Sequence, residues 1–252
     1  MNSVTYLSGA INPGDCISNA WTLVTRRFWL YIGVGLVTML LIACVPIVSS
    51  LLLGPVLGGF YYLVLRDARD EPVDFGMMFK GFEKFLPLML AGLVQSAPSI
   101  IAAIFQYTVD LARVVGSSRG GNGNEAVFAG LSAGVLVVVM ILSLFGIVWS
   151  VALSFAVPLI LEHDLAVVDA LLTSAKAAAN NVGGLIVLII LEALVAILGM
   201  VALCIGLFVA LPVIYAANVL AYRMVFPYSF RPDRNPNPPP PSEYGGTYGT
   251  NY

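Results

Sequence analysis

The sequence predicts an all-α, polytopic membrane protein with six transmembrane helices in three hairpins, each preceded by an amphipathic surface helix. The first observation behind this is composition: 59% of the 252 residues are hydrophobic and 10% are charged, whereas a soluble domain has roughly a quarter charged residues. The second is that the apolar residues form uninterrupted runs, each nearly twice as long as one bilayer crossing requires. A run of that length must turn back, so each one predicts a helical hairpin.

The clearest example occupies the C-terminal part of the chain. The charged residues Glu162-His163-Asp164 are followed by an amphipathic segment at 165–179, in which Asp164 is expected to cap the helix, and then by an apolar run at 182–221. Glu192 is the one charge in that run. At about 1.5 Å per residue the run is too long for a single crossing. A bend at Ile205-Gly206 is therefore predicted, which gives spans five and six.

The first unit has the same order of elements. Asn12-Pro13-Gly14-Asp15 predicts a helix start capped by Asp15, and apolar residues then recur at helical spacing up to Phe28. This helix is predicted to lie along the membrane surface. No charge occurs from residue 28 to residue 65. Pro46 is the expected breaking point, so the first two spans are predicted at 28–45 and 48–65.

The middle unit begins with the most charged segment of the chain. Asp74 is expected to start a second surface helix, whose aromatic stripe suits either lipid or a protein partner and consists of Phe75, Phe79, Phe82 and Phe85. The third span is predicted at 86–109, and a flexible loop follows at 113–125. The fourth span, 127–161, is longer than one crossing and is expected to break near Gly146 or Pro158.

These elements define one integral membrane domain, residues 1–226, built from repeat units at about 13–66, 73–162 and 164–226. In the first and third units, Pro55 precedes Arg66 by the same distance as Pro212 precedes Arg223. That agreement favours a duplicated unit. Residues 227–252 are rich in Pro, Gly and Tyr and are predicted to be a disordered tail, with Pro-x-x-Pro spacing that could dock a peptide-binding groove.

The basic residues predict the orientation. Six crossings place ten of the 12 Lys and Arg residues on one side and only Arg113 and Arg119 on the other. Cytoplasmic loops are enriched in Lys and Arg, so both termini and all three surface helices are predicted to be cytoplasmic. A formal net charge of −2 gives no reason to expect a nucleic-acid partner.

Two stretches carry a resemblance to known proteins. The first is residues 54–62 (GPVLGGFYY), continued by 69–71 and 79–82; the second comprises Pro158, Ala170, Ser174, residues 202–208 and Pro212 onward to Tyr222. Together they resemble a broad group of bacterial integral membrane proteins of unassigned function. They are more loosely similar to the membrane domain attached to some glycerophosphodiester phosphodiesterases. The resemblance implies a multi-span protein of the bacterial inner membrane and carries over no catalytic residue.

Glu192 is the candidate functional residue, because a charge at the centre of a span costs about 2.5–3.5 kcal/mol and usually faces the bundle interior or a wet cavity. It could relay a proton or cation, with Gln95, Gln106 and Asn218 as polar neighbours on other helices. The favoured interpretation is a protonated or hydrogen-bonded acid that holds helices together, because no second intramembrane charge accompanies it. The small residues Gly54 and Gly58, one turn apart, predict a close helix-packing face.

Two further groups of residues are candidate sites, one for a metal ion and one for a disulfide. Glu162-His163-Asp164 contains the only histidine and could bind a metal ion, but a solvated helix junction is the favoured interpretation, since zinc sites bring further ligands at recognisable spacing. Cys44 and Cys204 could form a disulfide on an oxidising side of the membrane, although buried free thiols are favoured. No cofactor or metal site is predicted.

Three classes of function remain open. A non-catalytic membrane scaffold or interaction protein is favoured, with the bilayer and either a second copy or another membrane protein as partners. The alternative is a transporter or channel for a small solute or lipid that uses Glu192. An enzyme is the weakest of the three, because no cluster of His, Cys or acidic residues has the spacing that catalysis needs.

Overall fold

A computed structural model describes residues 4–43, 46–117, 125–201 and 206–227, and its regular structure is entirely helical in these ranges. The all-α prediction is thus confirmed. The helices are α1 (Pro13–Arg26), α2 (Phe28–Ala43), α3 (Pro46–Asp67), the 3-10 helix η1 (Phe75–Lys84), α4 (Phe85–Ser117), α5 (Glu125–Ala152), α6 (Ala156–His163), α7 (Val167–Ala179), α8 (Val182–Val201) and α9 (Leu207–Val225).

Several helices are long and apolar enough to cross a membrane. Four such segments occur in the described residues, and α1 with the first part of α2 forms a pair bent by 102° that would count as a fifth. The four are Phe75–Leu111, Gly134–His163, Val182–Val201 and Leu207–Val225. On α5 alone, nine large apolar side chains from Leu136 to Val148 are exposed. These lengths and lipid-compatible faces identify an integral membrane protein.

The ends of the helices differ from several sequence predictions. Asp15 does not cap α1: the helix begins at Pro13, and the Asp15 carboxylate accepts a hydrogen bond of 2.6 Å from the Asn12 amide. Asp164 does not cap α7 either, because it ends α6 in a left-handed conformation with φ of 52°. The α4 helix runs to Ser117, into the predicted loop. Residues 118–124, the rest of that loop, lie outside the described ranges.

The fourth predicted span breaks at residues 153–155, close to Pro158 as one of the two expected positions, and not near Gly146. Gly146 stays inside α5, and Pro158 lies in the first turn of α6, where a missing N–H costs little because first-turn N–H groups have no helical partner. The break exposes backbone groups that the buried Ser174 hydroxyl of α7 satisfies. It donates to Ala152 O at 2.8 Å and accepts from Phe155 N at 3.1 Å.

Each of the helices α1, η1 and α7 packs against helices from another part of the chain. The α1 helix packs on α8 and α9, η1 packs on α3, and α7 packs on α5 and α6. The segment before α1 joins the first and last helices, because Leu7 N donates to Val225 O at 2.9 Å and Ala10 N donates to Asn181 Oδ1 at 3.0 Å. These hydrogen bonds attach the N-terminal segment to the end of α9 and to the turn between α7 and α8.

Fully buried aromatic rings pack where the break between α5 and α6 meets the end of α9. Tyr222 stacks on Phe226 with centroids 5.0 Å apart, and Phe155 lies 5.9 Å from Phe226. Aromatic pairs at such distances add about 0.5–1.5 kcal/mol beyond area burial. These rings hold the break against the end of α9.

Glycines permit the closest backbone contacts, which join α3 to η1 and α4. A Cβ on Gly54 would overlap the Leu88 carbonyl oxygen, and one on Gly92 would lie 2.7 Å from Gly54 N. A Cβ on Gly58 would lie 2.7 Å from the Leu88 side chain, and one on Gly59 would overlap the Met78 carbonyl oxygen. Gly54 and Gly58 therefore pack inside this chain.

This packing gives a direct test of stability. Gly59→Ala should lower the free energy of unfolding by about 1–3 kcal/mol, because the new methyl group has no space beside the Met78 backbone. Gly183→Ala is the matched control, since nothing lies within 4 Å of its Cβ position, and it should change stability by less than about 0.5 kcal/mol. Thermal unfolding in detergent compares the two, and equal stabilities would contradict the close η1–α3 contact.

Candidate functional site

The bundle contains a partly open cavity of about 380 Å³. Five helices from all parts of the chain contribute to its wall: α3, α4, α5, α8 and α9. Its polar lining consists of the side chains of Tyr61, Gln95, Ser96, Ser99, Ser150, Ser154, Glu192, Tyr215 and Asn218. Such a concentration of polar groups is unusual at membrane depth, where each one has to find a partner within the protein or in trapped solvent.

Glu192 lies ten residues from the start of α8, about 15 Å along the helix and thus near the middle of a bilayer core. Its Oε1 accepts a hydrogen bond of 2.7 Å from the Asn218 side-chain amide on α9. The same Asn218 nitrogen donates to Ile214 O at 3.0 Å, which fixes the orientation of the amide. The acid is therefore positioned by a neighbouring helix while its side chain contributes to the cavity wall.

Two tyrosines form the side of the cavity nearest to α3 and α9. The rings of Tyr61 and Tyr215 lie 6.4 Å apart, and Tyr215 also meets the buried ring of Phe60 at 5.5 Å. These edge contacts hold both rings in place. Because the two side chains line the cavity, they add phenol groups to the carboxyl and amide groups.

A second cavity of about 490 Å³ continues from the first. The two share part of their lining, namely Ser99, Gly146, Ser150, Val151 and Ile189. The second is formed mainly by α4 and α5, and its remaining walls are Pro98, Ala102, Leu142, Ser143 and Ile147. We call this continuation the α4–α5 groove.

The α4–α5 groove lies beside a gap in the helix packing. In the described ranges, α8 packs mainly on α1 and α9, whereas α4 and α5 pack on each other and make no comparable contact with α8. Ile189 is the only α8 residue of the groove lining. The cavity around Glu192 is therefore closed by tight packing toward α3 and α9 and loosely bounded toward α5.

The structure brings together three of the four predicted polar residues. Gln95, Glu192 and Asn218 line the cavity, whereas Gln106 does not. Gln106 is eleven residues farther along α4, about 16 Å from Gln95, and so lies at a different depth. Sequence reasoning missed the cavity serines and tyrosines, because hydroxyl groups in apolar helices commonly bond the carbonyl four residues back and give no distinct signal.

At the end of the bundle where α3 and α1 terminate, Asp67 is a fully buried acid. It receives Arg26 at 2.8 Å, Arg27 at 3.2 Å and the Tyr31 hydroxyl at 2.9 Å. An acid is unfavourable at the C-terminal end of a helix, where the dipole is negative. The two guanidinium groups and the phenol compensate for that placement, and they tie the turn after α1 to α3.

Glu162, at the end of α6, connects three parts of the chain. Its carboxylate pairs with Arg69, which follows α3, and with Arg223 of α9, and it accepts a 2.9 Å hydrogen bond from the Tyr222 hydroxyl. Its side chain is only 12% exposed. Charge-assisted hydrogen bonds of this kind are stronger than those between neutral groups. Glu162 therefore holds the ends of the return helices together.

The neighbouring carboxylate of Asp164 is engaged as well. It pairs with Lys84, whose ammonium also donates to Ile160 O at 3.0 Å and Leu161 O at 3.1 Å. Both acids beside His163 thus face cations. Across the described ranges, no group of three or more His, Cys, Asp or Glu side chains could hold a metal ion.

The structure describes only some of the other residues that the sequence analysis singles out. Phe75, Phe79 and Phe85, on η1 and at the start of α4, are exposed. Phe82 lies between them, and its ring centroid is 6.3 Å from those of Phe79 and Phe85. Cys44, Cys204 and the tail from residue 228 lie outside the described residues.

No family model, no curated protein and no solved structure matches this chain. The resemblance to bacterial membrane proteins of unassigned function, and to the membrane domain attached to glycerophosphodiester phosphodiesterases, stays a prediction.

The Glu162 cluster gives a second test. Glu162→Ala should lower the free energy of unfolding by about 2–4 kcal/mol, because it removes a largely buried carboxylate that pairs with the Arg223 guanidinium, itself only 11% exposed, and that accepts the hydrogen bond of the Tyr222 hydroxyl. Glu83→Ala removes an exposed partner of Lys80 and should cost less than about 1 kcal/mol. Denaturation in detergent measures both, and a Glu162→Ala protein as stable as the control would show that the cluster contributes little.

Proposed function

We propose that this protein is a transporter or channel that binds a small polar or amphipathic solute in the cavity beside Glu192. The observation that carries the proposal is the cavity itself: a central intramembrane acid contributes to the wall of a 380 Å³ space with eight other polar side chains. An acid that only joined helices would be enclosed by protein on every side. Intramembrane acids that face a cavity commonly mark substrate or ion pathways.

We propose that the chain crosses the membrane six times, because this number gives each of the three units one hairpin and one surface helix. In that arrangement α2, α3, α4, α5 with α6, α8 and α9 cross the membrane, while α1, η1 and α7 lie along its surface as amphipathic helices. The units 13–66, 73–162 and 164–226 then form a cycle, because α1 packs on the third hairpin, η1 on the first and α7 on the second. We infer a threefold internal repeat from this cycle.

The repeat also relates the polar residues of the spans. The helices α2, α4 and α8 begin at Phe28, Phe85 and Val182, and the residues ten positions later are Thr38, Gln95 and Glu192. Thr38 is buried, and its hydroxyl has no hydrogen-bond partner among the described residues. One polar side chain at the same depth in each unit is the arrangement expected of a repeated solute-binding fold.

The proposed location is the cytoplasmic membrane of a bacterium, with both termini in the cytoplasm. The ends of α1, α3, η1 and α9 gather six basic residues on one side of the bundle: Arg26, Arg27, Arg66, Arg69, Lys84 and Arg223. That is the side which the positive-inside tendency assigns to the cytoplasm. We also propose that the protein is not an enzyme, as the sequence predicts.

A membrane scaffold, the role favoured by the sequence, is the second candidate. Its strongest support was the packing face of Gly54 and Gly58, and that face is already occupied by Leu88. The exposed aromatic row from Phe75 to Phe85 is the observation that still favours a protein partner or a second copy. A lipid surface suits this row equally well, so the cavity is the better guide to function.

Cysteine accessibility tests the proposed pathway. In a protein whose three native cysteines are replaced by serine, Ser154→Cys should react with a water-soluble thiol reagent at least about tenfold faster than Leu194→Cys, because thiolate forms only where water reaches. Ser154 lines the cavity, whereas Leu194 is a lipid-exposed residue of α8. Equal, slow labelling at both positions would rule out a water-accessible pathway.

A reporter fusion tests the proposed topology. An enzyme reporter that is active only outside the cytoplasm, fused after Asn122, should be active, whereas the same reporter fused after Phe226 should be inactive. Six crossings place these positions on opposite sides, with the basic ends inside. Activity at both positions, or at neither, would contradict the three crossings between them. The same reporter fused after Ala43 separates six crossings from four, because it should be active only if α2 crosses the membrane; inactivity there would contradict the six-span arrangement.

A further inference from the structure

The α4–α5 groove suggests what kind of molecule the cavity takes. We propose that the ligand is an alkyl amphipath whose headgroup donates hydrogen bonds and carries no negative charge, and that it enters sideways from the lipid through the gap between α5 and α8. This inference rests on the proposed function and narrows it to a substrate class.

The headgroup class follows from the polar lining. The wall offers one carboxyl group, two side-chain amides and six hydroxyl groups, and it includes no Lys, Arg or His. Carboxyl and amide oxygens accept hydrogen bonds from an ammonium or hydroxyl group. A phosphate or carboxylate would meet Glu192 with no counter-charge, and burying an unpaired charge is costly. The cavity is therefore matched to an uncharged or cationic headgroup.

The tail follows from the groove that continues the cavity. Its walls are mostly apolar, with Pro98, Ala102, Leu142, Ile147, Val151 and Ile189 among them. From Ser150 to Leu142 the groove runs along two turns of α5, about 12 Å. That length accommodates a stretch of alkyl chain in continuous contact with apolar side chains.

The entry route follows from the packing. The cavity is backed by the glycine-mediated contacts of α3 with α4 and by the contact of α8 with α9. The opposite side, between α5 and α8, lacks such packing among the described residues. Ile147, which lines the groove on the α5 side, is exposed and would face hydrocarbon in a bilayer. A molecule dissolved in the membrane reaches this opening without crossing water.

Trp149 provides a local reporter. Its indole nitrogen donates to Val94 O at 2.8 Å, so the ring bridges α4 and α5 next to the cavity residues Gln95 and Ser150. Trp21 and Trp29 are exposed elsewhere, and replacing both by Phe leaves Trp149 as the single tryptophan of the chain.

The experiment uses this single-tryptophan protein in lipid nanodiscs. Three nitroxide-labelled twelve-carbon probes, identical except for an ammonium, a hydroxyl or a phosphate headgroup, are titrated while Trp149 fluorescence is followed. Saturable quenching is expected for the ammonium and hydroxyl probes, with the phosphate probe at least about tenfold weaker. Equal affinity of the phosphate probe would overturn the headgroup assignment.

Variants assign the site. Glu192→Gln should weaken the ammonium probe about tenfold and leave the hydroxyl probe within about threefold, because only the cation gains from the acid. Gln106→Leu, on the same helix as Gln95 but off the cavity, should change neither. Gly146→Leu and, independently, Ser99→Leu should remove saturable quenching by filling the groove; quenching that persists in both folded variants would overturn the lateral route.

The outcomes separate this inference from the proposed function. Rapid labelling of Ser154→Cys together with headgroup-independent quenching would keep a solute pathway and reject the ligand class. Slow labelling together with no saturable quenching by any probe would reject both.

Discussion

Hydrocarbon offers no hydrogen bonds, and most of this structure depends on that constraint. Every polar group at membrane depth needs a partner within the protein or a wet cavity. The interruption between α5 and α6 is tolerated because Ser174 bonds both the carbonyl of Ala152 and the amide of Phe155. Asp67 is tolerated because two guanidinium groups and the Tyr31 hydroxyl surround it. At each of these two places a single side chain, Ser174 or Asp67, stabilises the junction between two helices.

The cavity beside Glu192 does not follow this pattern, in which each buried polar group stabilises a junction between helices. Asn218 satisfies one Glu192 oxygen, yet eight further polar side chains surround a space that protein atoms do not fill. Retaining an acid near the bilayer centre costs about 2.5–3.5 kcal/mol on insertion scales. An apolar, well-packed core would be at least as stable. The polar cavity is therefore better explained by binding than by folding.

Close packing and open packing occupy opposite sides of that cavity. Backbones of α3, η1 and α4 touch at Gly54, Gly59 and Gly92, where any side chain would clash. The α8 helix instead leans on α1 and α9 and is loosely bounded toward α5. In the proposed transporter, the closely packed wall would form the binding surface and the weakly packed side would be where a solute passes.

Much of the architecture could be predicted from sequence because uninterrupted apolar runs have a direct physical meaning. The lengths of the runs at 28–65 and 182–221 predict folding back, and the structure describes two helices in each run: Phe28–Ala43 and Pro46–Asp67 in the first, Val182–Val201 and Leu207–Val225 in the second. Local end signals were less reliable: Asp15 and Asp164 both have a capping residue type but found other partners in three dimensions.

The candidate site, too, could be predicted from the sequence only in part. Glu192 could be identified because a lone charge in an apolar run is conspicuous. The convergence of Gln95 and Asn218 on it was only an expectation, and Gln106 was wrongly grouped with them because depth depends on where α4 begins. The contributions of Tyr61, Ser150 and Ser154 required the relative rotation of five helices, which no periodicity in one helix specifies.

The most direct test of the central claim is an experimental structure of the full chain in a lipid nanodisc, at a resolution that shows ordered water and lipid. The account predicts non-protein density, water or an amphipath, within hydrogen-bonding distance of Glu192 and continuous with the α4–α5 groove. Side chains packed against Glu192 on all sides, with no density and no space between α5 and α8, would contradict it.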